Sequence, residues 1–153
     1  LRAERVFAWS GWTIPVSETL LWRRSEELSA ATELAFLYPL SQRVALSLIS
    51  NATWRRPLQG FELGQTAAVF WRASERSVAG TELVVIGHTE PQSELTAYSA
   101  ALRYRRLIYR DWLVLELRPQ LTYPRDKDFR AVPSFTLQVE AWFGSNYVDK
   151  VLH

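Results

Sequence analysis

Trp112-Leu113-Val114-Leu115-Glu116-Leu117-Arg118-Pro119-Gln120-Leu121-Thr122-Tyr123-Pro124 has a period of two. One parity holds Leu113, Leu115, Leu117, Pro119, Leu121 and Tyr123, apolar but for the tyrosine hydroxyl. The other holds Trp112, Val114, Glu116, Arg118, Gln120 and Thr122 and is mostly polar. Successive side chains of a β-strand point to opposite faces, so this stretch reads as a strand with one apolar face. A helix would repeat every 3.6 residues instead.

The same period runs outward in both directions. Phe135, Leu137, Val139, Ala141 and Phe143 oppose Ser134, Thr136, Gln138 and Glu140. Tyr98, Ala100, Leu102 and Tyr104 oppose Ala97, Ser99, Ala101 and Arg103. Phe61, Leu63, Ala67, Val69 and Trp71 oppose Glu62, Gly64, Thr66, Ala68 and Arg72. Val44, Leu46, Leu48, Ala52 and Trp54 oppose Ser47, Asn51 and Thr53, and Leu34, Phe36, Tyr38 and Leu40 oppose Glu33 and Ala35. In 81–90, Val84 and Ile86 dilute the polar face, and around 18–24 both faces are mixed. Pro15 predicts a strand end or bulge. The runs predict strands over 2–9, 13–24, 30–40, 43–55, 61–73, 78–89, 95–108, 112–124 and 133–143.

Breakers separate these runs, and short connections alternate strictly with long ones. The short ones are Ser10-Gly11, Ser41-Gln42, 74–77 and 109–111; the long ones are 25–30, 55–60, 90–94 and 124–133. Tight turns at one end and longer loops at the other are the signature of a membrane β-barrel. The expected fold is therefore all-β, an antiparallel up-and-down transmembrane β-barrel in the bacterial outer membrane. It has eight strands if the first run is not a barrel strand, or forms the C-terminal eight or nine strands of a larger barrel. One barrel domain is expected over 1–144, with a C-terminal extension over 145–153.

Composition narrows the field. The chain has 153 residues and no cysteine, which excludes disulfides, thiolate metal sites and a cysteine nucleophile. No apolar run approaches the roughly 18–20 residues of a membrane-spanning helix. With no methionine at position 1 and no leader, a start at Leu1 reads as a processed or truncated chain. A net charge of +2 is too small to argue for nucleic acid. Of the basic residues only Lys127 and Lys150 are lysine.

Two sets of residues follow from the faces. Glu33, Glu62, Arg72, Glu82, Arg103, Arg105, Glu116, Arg118 and Glu140 share the polar parity and form the expected lumen-facing charged network. In a narrow barrel such charges pair, because an unpaired buried charge is costly; in a wide one they line a selective pore. Trp22, Trp54, Trp71, Trp112, Tyr123, Trp142 and Phe143 fall near strand ends, where aromatic rings favour the membrane–water interface.

In the C-terminal half stand Leu102-Arg103-Tyr104-Arg105-Arg106, Tyr109-Arg110-Asp111-Trp112-Leu113-Val114-Leu115-Glu116-Leu117-Arg118-Pro119 and Tyr123-Pro124-Arg125. By these stretches the chain resembles a family of uncharacterised proteobacterial envelope proteins. The likeness extends over about 13–144. A closing strand from Phe135 to Gly144 ends in Trp142-Phe143-Gly144, similar to the C-terminal signal read by barrel-assembly machinery. The resemblance implies a barrel, not an activity, and members longer at the N-terminus. This chain departs from it in continuing through Ser145–His153.

His88, the only internal histidine, lies on the polar parity near Glu90. Imidazole shuttles protons near neutral pH, but no serine stands in a nucleophile context. Two histidines and no cysteine supply no metal cluster, and no glycine-rich phosphate loop is present. The basic run 103–110 divides between the polar face and a turn, which argues against nucleic acid. No cofactor is expected. The expected partners are outer-membrane lipid or lipopolysaccharide, barrel-assembly machinery and other envelope proteins. The leading expectation is a non-enzymatic structural or docking subunit or a small pore. The alternatives are a barrel hydrolase of lipase or protease type, and a soluble β-sandwich or lipocalin-like binding protein.

Overall fold

The computed structural model describes residues 1–21, 28–55, 60–110 and 112–141. They form nine strands: β1 (Arg2–Trp9), β2 (Trp12–Leu21), β3 (Ser29–Pro39), β4 (Val44–Arg55), β5 (Phe61–Ser74), β6 (Ser77–His88), β7 (Glu94–Tyr109), β8 (Leu113–Pro124) and β9 (Val132–Ala141). All pair antiparallel with their sequence neighbours in one up-and-down sheet of order β1 to β9. The first run is a full strand, in register with β2 from Arg2↔Thr19 to Trp9↔Trp12, so the count is nine and not eight. Among the described residues β1 and β9 do not pair. The sheet is open, and the expected closed barrel is not what these strands form by themselves. Trp22, Trp142, Phe143 and the boundary between 1–144 and 145–153 lie outside the described residues.

Local chemistry explains the reversals. Ser10 and Gly11 both have positive φ, 48° and 83°, as a two-residue hairpin turn matched to strand twist requires. Ser41 closes the β3–β4 turn, its Oγ accepting from the backbone N–H groups of Arg43 and Val44 at 3.2 and 3.1 Å. Since consecutive strands run in opposite directions, all four short turns (10–11, 40–43, 75–76 and 110–112) lie at one end of the sheet. The longer connections lie at the other.

The prolines correct one expectation. Pro15 neither ends nor bulges β2; it sits inside, opposite Val6. The ladder to β3 instead skips from Thr13↔Leu37 to Val16↔Leu34. Pro119 does likewise in β8, where pairing with β7 skips from Ala101↔Gln120 to Tyr104↔Leu117. A residue without an N–H leaves a gap on one side of the ladder while the other side holds the strand in place.

The two faces differ in an unusual direction. Ala35, Ser47, Ala68, Glu82, Ala101, Val114 and Glu116, all on one face, are buried, with Ala68 at 5% and Val114 at 0% exposure. Large apolar residues of the other face are exposed: Leu83 at 60%, Leu102 at 56%, Phe135 at 63%. Strands contact their sequence neighbours, and no second layer of described structure covers the small-residue face. That face is buried by the curvature of the sheet itself, so it is the concave one. A soluble sandwich distributes its residues the other way, with large aliphatics in the shared core.

Gly80 shows how closely the concave face packs. The Phe70 ring, its register partner, covers Gly80, so that an added Cβ would lie 2.5 Å from Phe70 Cδ1 and 3.0 Å from the Val69 carbonyl oxygen. At Gly64 the obstacle is the mobile end of Asn51. Gly80→Ala is expected to lower stability by about 1–3 kcal/mol through overpacking. Gly64→Ala costs less than half as much, because Asn51 can rotate away. Urea unfolding of the two variants side by side checks the ordering, and equal losses would contradict it.

Candidate functional site: an ion-pair chain on the concave face

Register places all nine expected charged residues on the concave face. Glu82 faces Ala68 and Ala101, Arg105 faces Val78 and Glu116, and Glu140 faces Val114. Glu33 lies between Ser17 and Asn51, and Glu62 between Thr53 and His88.

Six of the nine join into one chain of alternating charge across β6 to β9. Arg118 Nη2 lies 2.7 Å from Glu82 Oε2, and Glu82 Oε1 lies 3.6 Å from Arg103 Nη1. Arg103 Nη2 donates to Glu116 Oε2 at 2.9 Å, and the same oxygen lies 3.5 Å from Arg105 Nη1. Arg105 Nη2 donates to Glu140 Oε2 at 2.6 Å, and Gln138 Nε2 donates to Glu140 Oε1 at 2.9 Å. The order is Arg118–Glu82–Arg103–Glu116–Arg105–Glu140, three cations against three anions.

Two of these links jump a strand. Arg118 on β8 reaches Glu82 on β6, and Arg105 on β7 reaches Glu140 on β9. Strands two apart are roughly 9–10 Å from each other, a span that long arginines cross only where the strand between presents little bulk. Ala101 and Val114 provide that clearance, and concave curvature draws the tips together. The small residues of this face are therefore what permits the network.

Glu82 and Glu116 are nearly enclosed, each about 8% exposed, so these links are worth more than surface ion pairs. The guanidinium side is less complete. The Nε atoms of Arg103, Arg105 and Arg118 are buried without a hydrogen-bond partner among the described residues.

Glu33, Glu62 and Arg72 share the face but stay outside the chain. Glu33 and Glu62 are on β3 and β5, away from the arginines of β7 and β8. Arg72 is exposed beside the β5–β6 turn and takes part in no ion pair among the described residues.

A second polar group sits at the long-loop end. His88 Nδ1 lies 3.0 Å from Thr96 Oγ1, and His88 Nε2 lies 3.6 Å from Glu94 Oε2, which also pairs with Arg125. Sequence parity puts Glu94 with Tyr98 on the apolar face. A β-bulge reverses that: Ile86 pairs with Ala97 but Gly87 with Leu95 and His88 with Glu94, and Thr96 is the extra residue. Thr96 and Glu94 are the polar partners of His88, and Arg125 holds Glu94 in turn. The group is a hydroxyl, an imidazole and a carboxylate in sequence, but the carboxylate is already held by arginine. No group of three or more metal-ligating residues occurs among the described residues.

The described interface aromatics divide between the two ends. Trp54, facing Phe61, and Tyr123, stacked on Tyr98 at 4.7 Å, lie at the long-loop end. Phe129 of the 125–131 loop stacks on Tyr98 at 5.8 Å. Trp71 and Trp112 lie at the short-turn end. There Trp112 meets Tyr109 edge-on at 5.7 Å, and Trp12 packs on Tyr38 at 4.8 Å. Between the two ends the outward face of β4 to β9 is mostly aliphatic, whereas on β1 and β2 it also carries the exposed charges Arg5 and Glu18. Among its polar residues, Ser50 and Gln65 are register partners and hydrogen-bond to each other at 2.9 Å.

Comparison with protein-family models, with curated proteins and with solved structures finds no match to this chain.

Glu116 is the central acceptor of the chain, so its loss strands two arginines. Glu116→Gln is expected to cost about 2 kcal/mol, between the values for exposed and fully buried pairs. Glu62→Gln, outside the chain, is expected to cost under about 0.5 kcal/mol. Equilibrium unfolding in detergent micelles distinguishes them, and a Glu62 loss equal to the Glu116 loss would contradict the assignment.

Proposed function

We propose that this chain is the wall of a bacterial outer-membrane β-barrel that works without catalysis, as a structural or docking subunit or a small pore. The observation that carries the reading is the inverted face pattern: large aliphatics exposed on the convex side, small residues and paired charges on the concave side. Water would penalise such a surface, whereas hydrocarbon would not.

Dimensions agree with this. On β4 and β5 the outward face runs from Trp54 and Phe61 to Val44 and Trp71. That is about ten residue steps, or about 33 Å along the strand. At the usual tilt of about 40° it becomes a band about 25 Å tall, the height of a barrel's apolar belt.

Membrane insertion makes a demand on the edges. Unpaired strand edges do not face hydrocarbon. In a nine-strand meander β1 and β9 run in the same direction, so joining them would make a parallel seam. An all-antiparallel closure takes an odd number of additional strands, consistent with even-numbered bacterial barrels. Lipid or lipopolysaccharide, assembly machinery and other envelope proteins are the partners that belong to this reading.

The Thr96–His88–Glu94 contacts are the one observation favouring a barrel hydrolase. Against it, Glu94 already pairs with Arg125, and the hydroxyl belongs to a bulge residue.

Membrane-extracted, detergent-purified protein is expected to run as a compact fast band on gels when unboiled and to slow on boiling. Protein that stays soluble without detergent and shows no shift would overturn the barrel reading. The purified protein is also expected to show no lipase or protease activity that His88→Ala removes; loss of such an activity in the variant would instead establish the hydrolase.

A further inference from the structure

The two ends of the sheet differ in charge as well as in loop length. At the short-turn end, three successive turns carry an arginine: Arg43 between β3 and β4, Arg76 between β5 and β6, Arg110 between β7 and β8. Arg72 lies beside Arg43, its N–H donating to the Arg43 carbonyl at 2.7 Å. Arg106 is the register partner of Ser77, next to Arg76. All five are exposed, and none is in an ion pair among the described residues; Arg72 opens onto the concave side, which leaves Arg43, Arg76, Arg106 and Arg110 to face a surrounding leaflet. Glu75 is the one carboxylate in these turns among the described residues. The long-loop end is mixed instead, with Glu90, Glu94, Asp126 and Asp128 against Arg125, Lys127 and Arg130, and with Glu94 already paired to Arg125.

Aromatic rings accompany these arginines. Trp71 faces Val44, the residue after Arg43, and directly precedes Arg72. Tyr104 faces Ala79 two positions before Arg106. The Arg110 guanidinium lies 5.4 Å from the centre of the Tyr109 ring, which also meets Trp112. At the ends of β4, β5 and β7 the aliphatic band thus gives way to aromatic rings with guanidinium groups beside or beyond them. Turns two strands apart repeat this arrangement at roughly 9–10 Å.

We propose that this rim is a collar for anionic phospholipid headgroups in the leaflet bordering the short turns. The inference rests on the membrane reading above and goes beyond it by naming the lipid class and the end that holds it. Guanidinium binds phosphate oxygens in a bidentate fork, and exposed arginines that form no ion pair among the described residues can present that fork to a headgroup. Phosphate must lie where hydrocarbon gives way to water, which is the level marked by Trp71, Tyr109 and Trp112. A nucleic acid or free phosphate would have no use for the apolar band beneath.

The test is quenching of tryptophan fluorescence by brominated lipids in vesicles containing the full chain. Brominated phosphatidylglycerol is expected to quench at about fivefold lower mole fraction than brominated phosphatidylcholine, the preference of about one arginine near the surface. High salt should abolish the preference by screening, and R43Q/R76Q/R106Q/R110Q should lack it at low salt. The single variant Arg106→Gln, outside the turns, should weaken it without disturbing the fold. Equal quenching by both lipids at low salt, or a preference that survives high salt, overturns the collar and leaves the membrane reading standing. Absence of quenching by either lipid overturns both.

Discussion

Strand register is the constraint on which the rest of this structure depends. Side chains alternate with a period of two, so a slip of one residue between neighbours would exchange the faces of every strand beyond it. Here the register brings Ala68, Glu82 and Ala101 side by side on one face, and Val69, Thr81 and Leu102 on the other. Neither set tolerates exchange. Leu83 and Leu102 have no room on a concave face that needs Ala101 and Gly80, and Glu116 has no partners on the convex one.

Curvature and charge pairing support each other. The small residues let the sheet bend and leave space above Ala101 and Val114. Through that space Arg118 and Arg105 reach carboxylates two strands away, tying β6, β7, β8 and β9 together beyond what neighbouring ladders do. The proline gap between β7 and β8 falls within this region, next to Arg118. Side-chain ion pairs thus cross the sheet where backbone hydrogen bonds are missing. The β2–β5 half of the face, with Ala31, Ala35, Ser47 and Ala68, has no comparable chain among the described residues.

The ends of the sheet have separate chemistry because an up-and-down meander sorts its connections. Short turns collect arginines and the Trp71, Tyr109 and Trp112 rings. The long-loop end collects mixed charge, the stacked Tyr98, Tyr123 and Phe129, and the bulge that turns Glu94 toward His88.

Period and punctuation alone locate the strands, all within a residue or a few of their observed ends, because alternation and turn residues are local properties of the chain. They also put Glu82, Arg103, Arg105, Glu116, Arg118 and Glu140 on one face. What they leave open are the relations between strands. Which six of nine charged residues meet, the bulge at Thr96 that reverses the parity of Glu94, and the accommodation of Pro15 inside β2 all depend on the neighbouring strand. The open pairing of β1 and β9 is of the same kind. A pattern within one strand says which way a side chain points; only the assembled sheet, through register and curvature, decides what it meets there.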